Sequence, residues 1–146
     1  METSKIIPEN IHLFHLNILE SNIVDAVQKK DNKFRINVAH TTMHNLVDER
    51  VKIGLFIDII DDSEKNEVVS AHFKIEFHYK VEDLKSFYKL DENNEPSFSG
   101  LFIATLLGIS FSTARGLIYE RLSKTNLRGI ILPVVSPNKM LSSKVE

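Results

Sequence analysis

The strongest periodicity in the chain runs from Glu67 to Val81. Val69, Ala71, Phe73, Ile75, Phe77, Tyr79 and Val81 occupy the odd positions, and Ser70, His72, Lys74, Glu76, His78 and Lys80 the even ones. Side chains alternate across a strand, so this pattern predicts a long strand with one buried face and one wet face. A sheet covered on one side only is typically antiparallel. Val51, Ile53, Leu55, Ile57 and Ile59 repeat the alternation, with Phe56 and Ile60 making the opposite face less polar. The polar segment from Asp61 to Asn66 separates the two runs and predicts a hairpin. Phe34, Ile36 and Val38 alternate with Lys33, Arg35 and Asn37 in a shorter strand. Ile11 to Leu19 forms a fourth strand of mixed phase, in which Phe14, Leu16 and Ile18 share one face.

The period then changes. Asp91 to Pro96 is a loop without an apolar residue other than its proline, and Ser97 or Ser99 is placed to cap a helix. Wound at the helical period, Ile103, Leu107, Phe111, Ala114, Ile118 and Leu122 fall along one core-facing stripe. Thr105, Gly108, Ser112 and Gly116 fall along another, where small side chains let a second backbone come close. Each glycine costs about 1 kcal/mol relative to Ala inside a helix, so a packing contact must offset it. Glycines facing the sheet would account for the stripe; a helix–helix contact between subunits is the reading favoured. The tail from Gly129 to Leu141 carries apolar residues interrupted by Pro133, the pattern of an extended crossing segment, and Ser136-Pro137 opens a short helix. The fold class predicted is α+β: a four-stranded antiparallel sheet, one long helix and a short C-terminal helix.

Composition narrows the function. The 146 residues correspond to a single domain, 1–146. Lys+Arg 18 against Asp+Glu 20 leaves a net charge of -2, which argues against a protein built to grip nucleic acid. The absence of cysteine excludes disulfides, thiolate metal sites and a Cys nucleophile. The first ten residues lack the apolar stretch of a secretory signal. The apolar run from Leu101 to Phe111 falls short of the roughly 20 residues that span a bilayer. A cytoplasmic chain with no direct membrane insertion is expected.

Candidate chemistry is sparse. His40 and His44 have the spacing of a zinc helix but lack its Glu; His12 and His15 fall on opposite faces of a strand; His72 and His78 are six positions apart. None brings a third ligand, so surface histidines and no metal site are expected. Asp58, Asp61, Asp62 and Glu64 lack the spacing and glycine of a calcium loop, and read as an acidic turn. Gly108-Ile109-Ser110-Phe111-Ser112 fails the nucleophile-elbow pattern, and no glycine-rich phosphate loop occurs. The reading is no enzyme and no cofactor. Arg115 is the one charge embedded in the apolar helix before Glu120 and Arg121 at its end; it recognises a partner's carboxylate or, more commonly for such charges, is satisfied internally. Phe87, Tyr88, Phe98 and Phe102 suit either an apolar groove or the core.

Two segments resemble the SecB family of export chaperones. Leu107 to Gly116, LGISFSTARG, is similar to that family's long-helix motif, in which an Ala-Arg pair follows an apolar turn; Gly116 stands where the family carries an acid. Ile130 to Leu141, IILPVVSPNKML, resembles its Pro-bearing crossing segment and the start of its last helix. The order of four strands, long helix and short helix fits as well. The resemblance implies an ATP-independent holdase that binds non-native polypeptide clients, serves protein export and assembles as a homo-oligomer, dimer or tetramer. It places an apolar peptide groove in the loops and crossing segments, for which Val24, Val27, Phe87, Tyr88, Phe98, Leu132, Val134, Met140 and Leu141 are the candidates. Thr105, Gly108, Ser112, Arg115 and Gly116 make the candidate subunit interface. Glu20 sits where family members place an acid that contacts the SecA translocase motor, which is thus an implied partner. The alternatives are a SecB-like module for one specific partner, such as an antitoxin, a non-chaperone module that binds one folded partner through the sheet face bearing His72, Lys74, Glu76, His78 and Lys80, and a small-ligand binder or enzyme with a cavity between sheet and helix.

Overall fold

Alternation along the two middle strands decides the architecture. The computed structural model describes residues 5–24, 34–61 and 68–141. Its main sheet contains β1 (Ile11–Ile23), β2 (Phe34–Asn45), β3 (Arg50–Asp61) and β4 (Val68–Val81), antiparallel throughout and ordered β1-β4-β3-β2. Ile53 lies opposite Phe77, Leu55 opposite Ile75 and Ile57 opposite Phe73, so the odd positions form one continuous apolar surface, fully buried. Burying each such side chain contributes about 1.5–3 kcal/mol.

The cover is α1 (Gly100–Leu122). Ser99 is its cap, accepting from the Phe102 N–H at 3.4 Å. Ile103, Leu107, Phe111, Ala114, Ile118 and Leu122 are all buried, as the stripe predicts. Tyr79 ties sheet to helix: its hydroxyl lies 2.6 Å from Ser110 Oγ and 3.4 Å from the Leu106 carbonyl oxygen, and burial pushes its pKa up to about 12. By length and composition alone α1 is apolar enough to cross a membrane, a test that a core helix passes equally; half of that window is buried by the protein.

β1 explains its own mixed phase. Register shifts between Leu13 and His15 and between Ile18 and Glu20 mark two irregularities of the bulge type, which break the alternation and re-aim side chains. Leu16 and Ile18 therefore pack on the core while Phe14 turns to the opposite face, against the expectation that the three share one. The same shift puts His12 and His15 on one face, opposite Lys80 and His78, where simple alternation separates them.

β2 runs well past Val38. Residues 40 to 44 are strand, so the zinc-helix spacing has no helix behind it, and His40 is buried opposite Leu55 instead of solvated. Asn45 closes the turn to β3, its Oδ1 accepting from the Asp48 N–H at 3.1 Å while Glu49 takes a positive φ of 54°. A Cβ on Gly54 would lie 2.6 Å from Thr41 Oγ1, so a side chain there would force the Thr41 hydroxyl to move.

Of the segment Asp91 to Pro96, expected as loop, Asp91 to Glu95 is the tip of a small hairpin between β5 (Tyr88–Leu90) and β6 (Pro96–Phe98), and Pro96 already pairs with Leu90. Asp91 Oδ1 holds it by accepting from the N–H groups of Asn93 and Glu95 at 2.8 and 3.0 Å. Beyond α1 the chain crosses without regular structure to α2 (Pro137–Met140), which follows Ser136-Pro137 as predicted. Arg115 Nε donates to the Leu132 carbonyl at 3.0 Å, the internal fate anticipated for that charge. The α+β class stands: four-stranded antiparallel sheet, long helix, short C-terminal helix.

Candidate polypeptide-binding groove

β2 has a neighbour on one side only. It pairs with β3 over its whole length, and among the described residues no strand pairs with its outer edge. Such an edge presents free N–H and C=O groups to any extended chain that approaches. Two crevices border it. The larger, about 640 Å³, opens between Phe34 and Ile36 and the crossing segment, where Leu127, Ile130, Ile131 and Pro133 supply apolar walls and Arg35 and Arg128 supply charge. The smaller, about 320 Å³, lies further along the strand at His40 and Thr42, facing Pro96, Phe98, Ile103 and Leu141.

The β5–β6 hairpin positions the aromatic wall. Tyr88 meets Phe98 edge-on at 5.6 Å, His44 meets Phe98 at 5.7 Å, and Phe98 in turn rests on Phe102 at 6.0 Å. Phe102 stacks flat on Phe87 at 4.6 Å, and both are buried. The four aromatics thus divide into an inner pair that belongs to the core and an outer pair, Tyr88 and Phe98, that stays half-exposed.

The nine groove candidates separate in the same way. Phe98 and Leu141 line the smaller crevice, with Tyr88 against Phe98. Val134 is 84% exposed on the crossing segment next to Pro133 of the larger one. Phe87, Leu132 and Met140 face inward: all three are buried in the core, because the tail folds back against α1 and brings Leu132 and Met140 with it. Val24 follows β1, the opposite edge of the sheet, away from this groove. Val27 lies outside the described residues. Ile130 and Ile131, the latter 65% exposed, were within the segment that sequence singled out but were not among its candidates.

The small-residue stripe of α1 is also divided. A Cβ on Gly108 would meet Pro137 Cγ at 3.2 Å, so this glycine makes room for α2 within the chain. Gly116 has nothing within 4 Å of that position, and Ser112 beside it is exposed. Leu101, Ile109 and Tyr119 are exposed on the same outward face. Arg115, bonded to Leu132, borders it.

On the sheet face turned from α1, His72 lies between two carboxylates. Its Nε2 is 2.7 Å from Glu20 Oε2 and its Nδ1 is 2.5 Å from Asp58 Oδ1. The two acids hold opposite nitrogens of one ring, so all three cannot ligate one ion. Among the described residues no group of three His, Asp or Glu side chains is arranged to hold a metal. Asp58 belongs to this cluster and not to an acidic turn; Asp62 and Glu64 lie outside the described residues.

No family model matches the chain, and no curated protein matches it. Among solved structures it is similar to the Mycobacterium tuberculosis SecB-like chaperone Rv1957, solved in complex with a ChAD peptide from the Rv1956 HigA1 antitoxin. The identity is 13%, the TM-score is 0.59, and the superposition covers 88% of this chain and 92% of that one. The likeness is one of fold: this chain has a SecB-like architecture.

Proposed function

We propose that this chain is an ATP-independent holdase that receives non-native polypeptide along the outer edge of β2. The observation that carries the reading is the pair of crevices, each with apolar and polar walls, beside the outer edge of β2. An extended client adds to β2 through main-chain hydrogen bonds, which any sequence can supply. Its alternate side chains enter the crevices, which prefer apolar groups without demanding one shape. Breadth of clients follows from that division, and no nucleotide-driven step is needed.

The outward face of α1 supports assembly. No charged residue occurs from Pro96 to Ala114, so a long stretch of that helix offers only apolar and small groups to water. A second copy of the chain covers this face in the proposed homo-oligomer, dimer or tetramer, with Gly116 giving the close approach. The chain works in the cytoplasm in this reading and acts by binding, not by catalysis. Delivery to SecA is the finer proposal: it requires Glu20 to exchange His72 for the motor.

A second reading, a module dedicated to one partner, has one observation in its favour: the similar Rv1957 structure holds a peptide from an antitoxin. Light scattering by a chemically denatured model client separates the two. Stoichiometric amounts of the chain suppress aggregation if it is a holdase and leave it unchanged if it serves one partner only.

A further inference from the structure

The sheet face turned from α1 carries a feature that the groove does not use. Register places His12 beside Lys80, Lys80 beside Arg50 and Arg50 beside Asn45, in one row across all four strands. The next row runs His15, His78, Lys52, Met43. Neither row contains a carboxylate. Like charges directly opposite one another destabilise a sheet, yet Lys80 stands next to Arg50. Three acids border the corner: Glu76 lies 3.1 Å from Lys52 and 3.6 Å from His78, Glu82 lies 3.5 Å from His12, and Asp48 accepts from Asn45 Nδ2 at 3.0 Å. Lys80 and Arg50 have no carboxylate partner among the described residues.

The irregularity in β1 adds an apolar element to this basic corner. It turns Phe14 onto the face, 49% exposed, with the Arg50 guanidinium 5.1 Å above its ring and the His78 ring 6.1 Å away. Met43, 57% exposed, stands across a shallow cleft of about 250 Å³ from it. Cations that repel one another around an exposed aromatic ring are an arrangement that an anionic, partly apolar ligand relieves.

We propose that this corner docks an acidic polypeptide segment bearing one apolar or aromatic side chain. Its carboxylates meet Lys80, Arg50 and Lys52, and its apolar side chain rests between Phe14 and Met43. The charge pattern favours a peptide over nucleic acid. A phosphate backbone asks for cations along its track, whereas here the third row turns acidic at Glu76 and the fourth and fifth carry Glu20 and Asp58. Complementary charge of this kind steers encounter and fixes the register of a partner. The site lies on a different face from the β2 crevices and does not depend on the holdase reading.

The test is fluorescence anisotropy of a labelled peptide of Asp and Glu around a single Trp, titrated with the full chain. Saturable, salt-sensitive binding is expected, with affinity at least about tenfold weaker for the Arg50→Glu/Lys80→Glu double variant, because like charges then face each other. Phe14→Ala weakens binding as well, and a peptide with Lys in place of its acids does not bind. The double variant replaces one like-charge pair with another and gives up the Arg50–Phe14 contact, so Lys80→Gln serves as the folding control: it removes the repulsion without adding a new one, should unfold at or above the wild-type temperature, and should still bind the peptide more weakly than wild type. Failure of the acidic peptide to bind, or equal binding by the double variant, overturns the proposal. So does tighter binding by a duplex oligonucleotide or an anionic vesicle than by the peptide. Suppression of client aggregation is read without this peptide, so either proposal can fail alone.

Discussion

His72 faces Asp58 directly across the β3–β4 ladder, with Nδ1 and Oδ1 2.5 Å apart, and its other nitrogen reaches Glu20 on β1. One imidazole thereby joins three strands, including an edge. Only the imidazolium can donate from both nitrogens; the neutral ring has a single N–H. The hydrogen bond to Asp58 is the largest influence and raises the His72 pKa above the ordinary 6.5, partial burial opposes it, and Glu20 adds to the rise.

The linkage has a definite sign. A raised folded-state pKa stabilises the fold below the unfolded value of 6.5, and that stabilisation is lost as pH rises through the folded value. Melting temperature followed by circular dichroism should therefore decline above 6.5. His72→Gln should remove this component of the decline. An identical pH slope in that variant would remove His72 from the account.

Tyr79 and Ser110 form a buried hydroxyl pair between sheet and helix. Tyr79→Phe leaves Ser110, fully buried, without that partner, and should cost about 1–2 kcal/mol in denaturant unfolding. In the wild type, ultraviolet titration should show one tyrosine ionising near 12 while the fold persists.

Arg115 anchors the crossing segment through Leu132. Arg115→Ala should lose about 1.5 kcal/mol, as a hydrogen bond from a charged group does. Amide exchange should accelerate first between residues 130 and 135, where Ile130, Ile131 and Pro133 wall the larger crevice. Uniform acceleration across the sheet would show a general loss of stability instead.

The two α1 glycines should respond differently. Gly116→Leu fills open space on the outward face and should lower the light-scattering mass of the assembly, with little change in unfolding. Gly108→Leu collides with Pro137 and should detach α2, lowering stability whatever the oligomer does. Equal effects would argue against separate roles.

What could be read in advance follows from how local each signal was. β3, β4 and the buried stripe of α1 are legible because alternation and helical period are properties of neighbouring residues, and Ser99 and Ser136-Pro137 mark boundaries by their own chemistry. The faces of His12, His15 and Phe14 are not, since irregularities in the β1 register are set by pairing with β4. The inward fate of Leu132 and Met140 depends on the tail folding back onto α1, and Gly108 on Pro137 arriving there. Composition marked these residues as apolar or small but not which surface they would meet. The β5–β6 hairpin was hidden because its tip is uniformly polar while its pairing rests on just three residue pairs. The basic corner is legible only in register, where residues from β1, β3 and β4 line up.

The edge of β2 is the centre of the account, and amide hydrogen exchange tests it most directly. In the presence of an unfolded client, amides from Phe34 to Asn45 that point away from β3 should become protected, together with those of the crossing segment near Ile130 and Ile131. Clients bound without any added protection along β2, or with protection confined to β1, would contradict it.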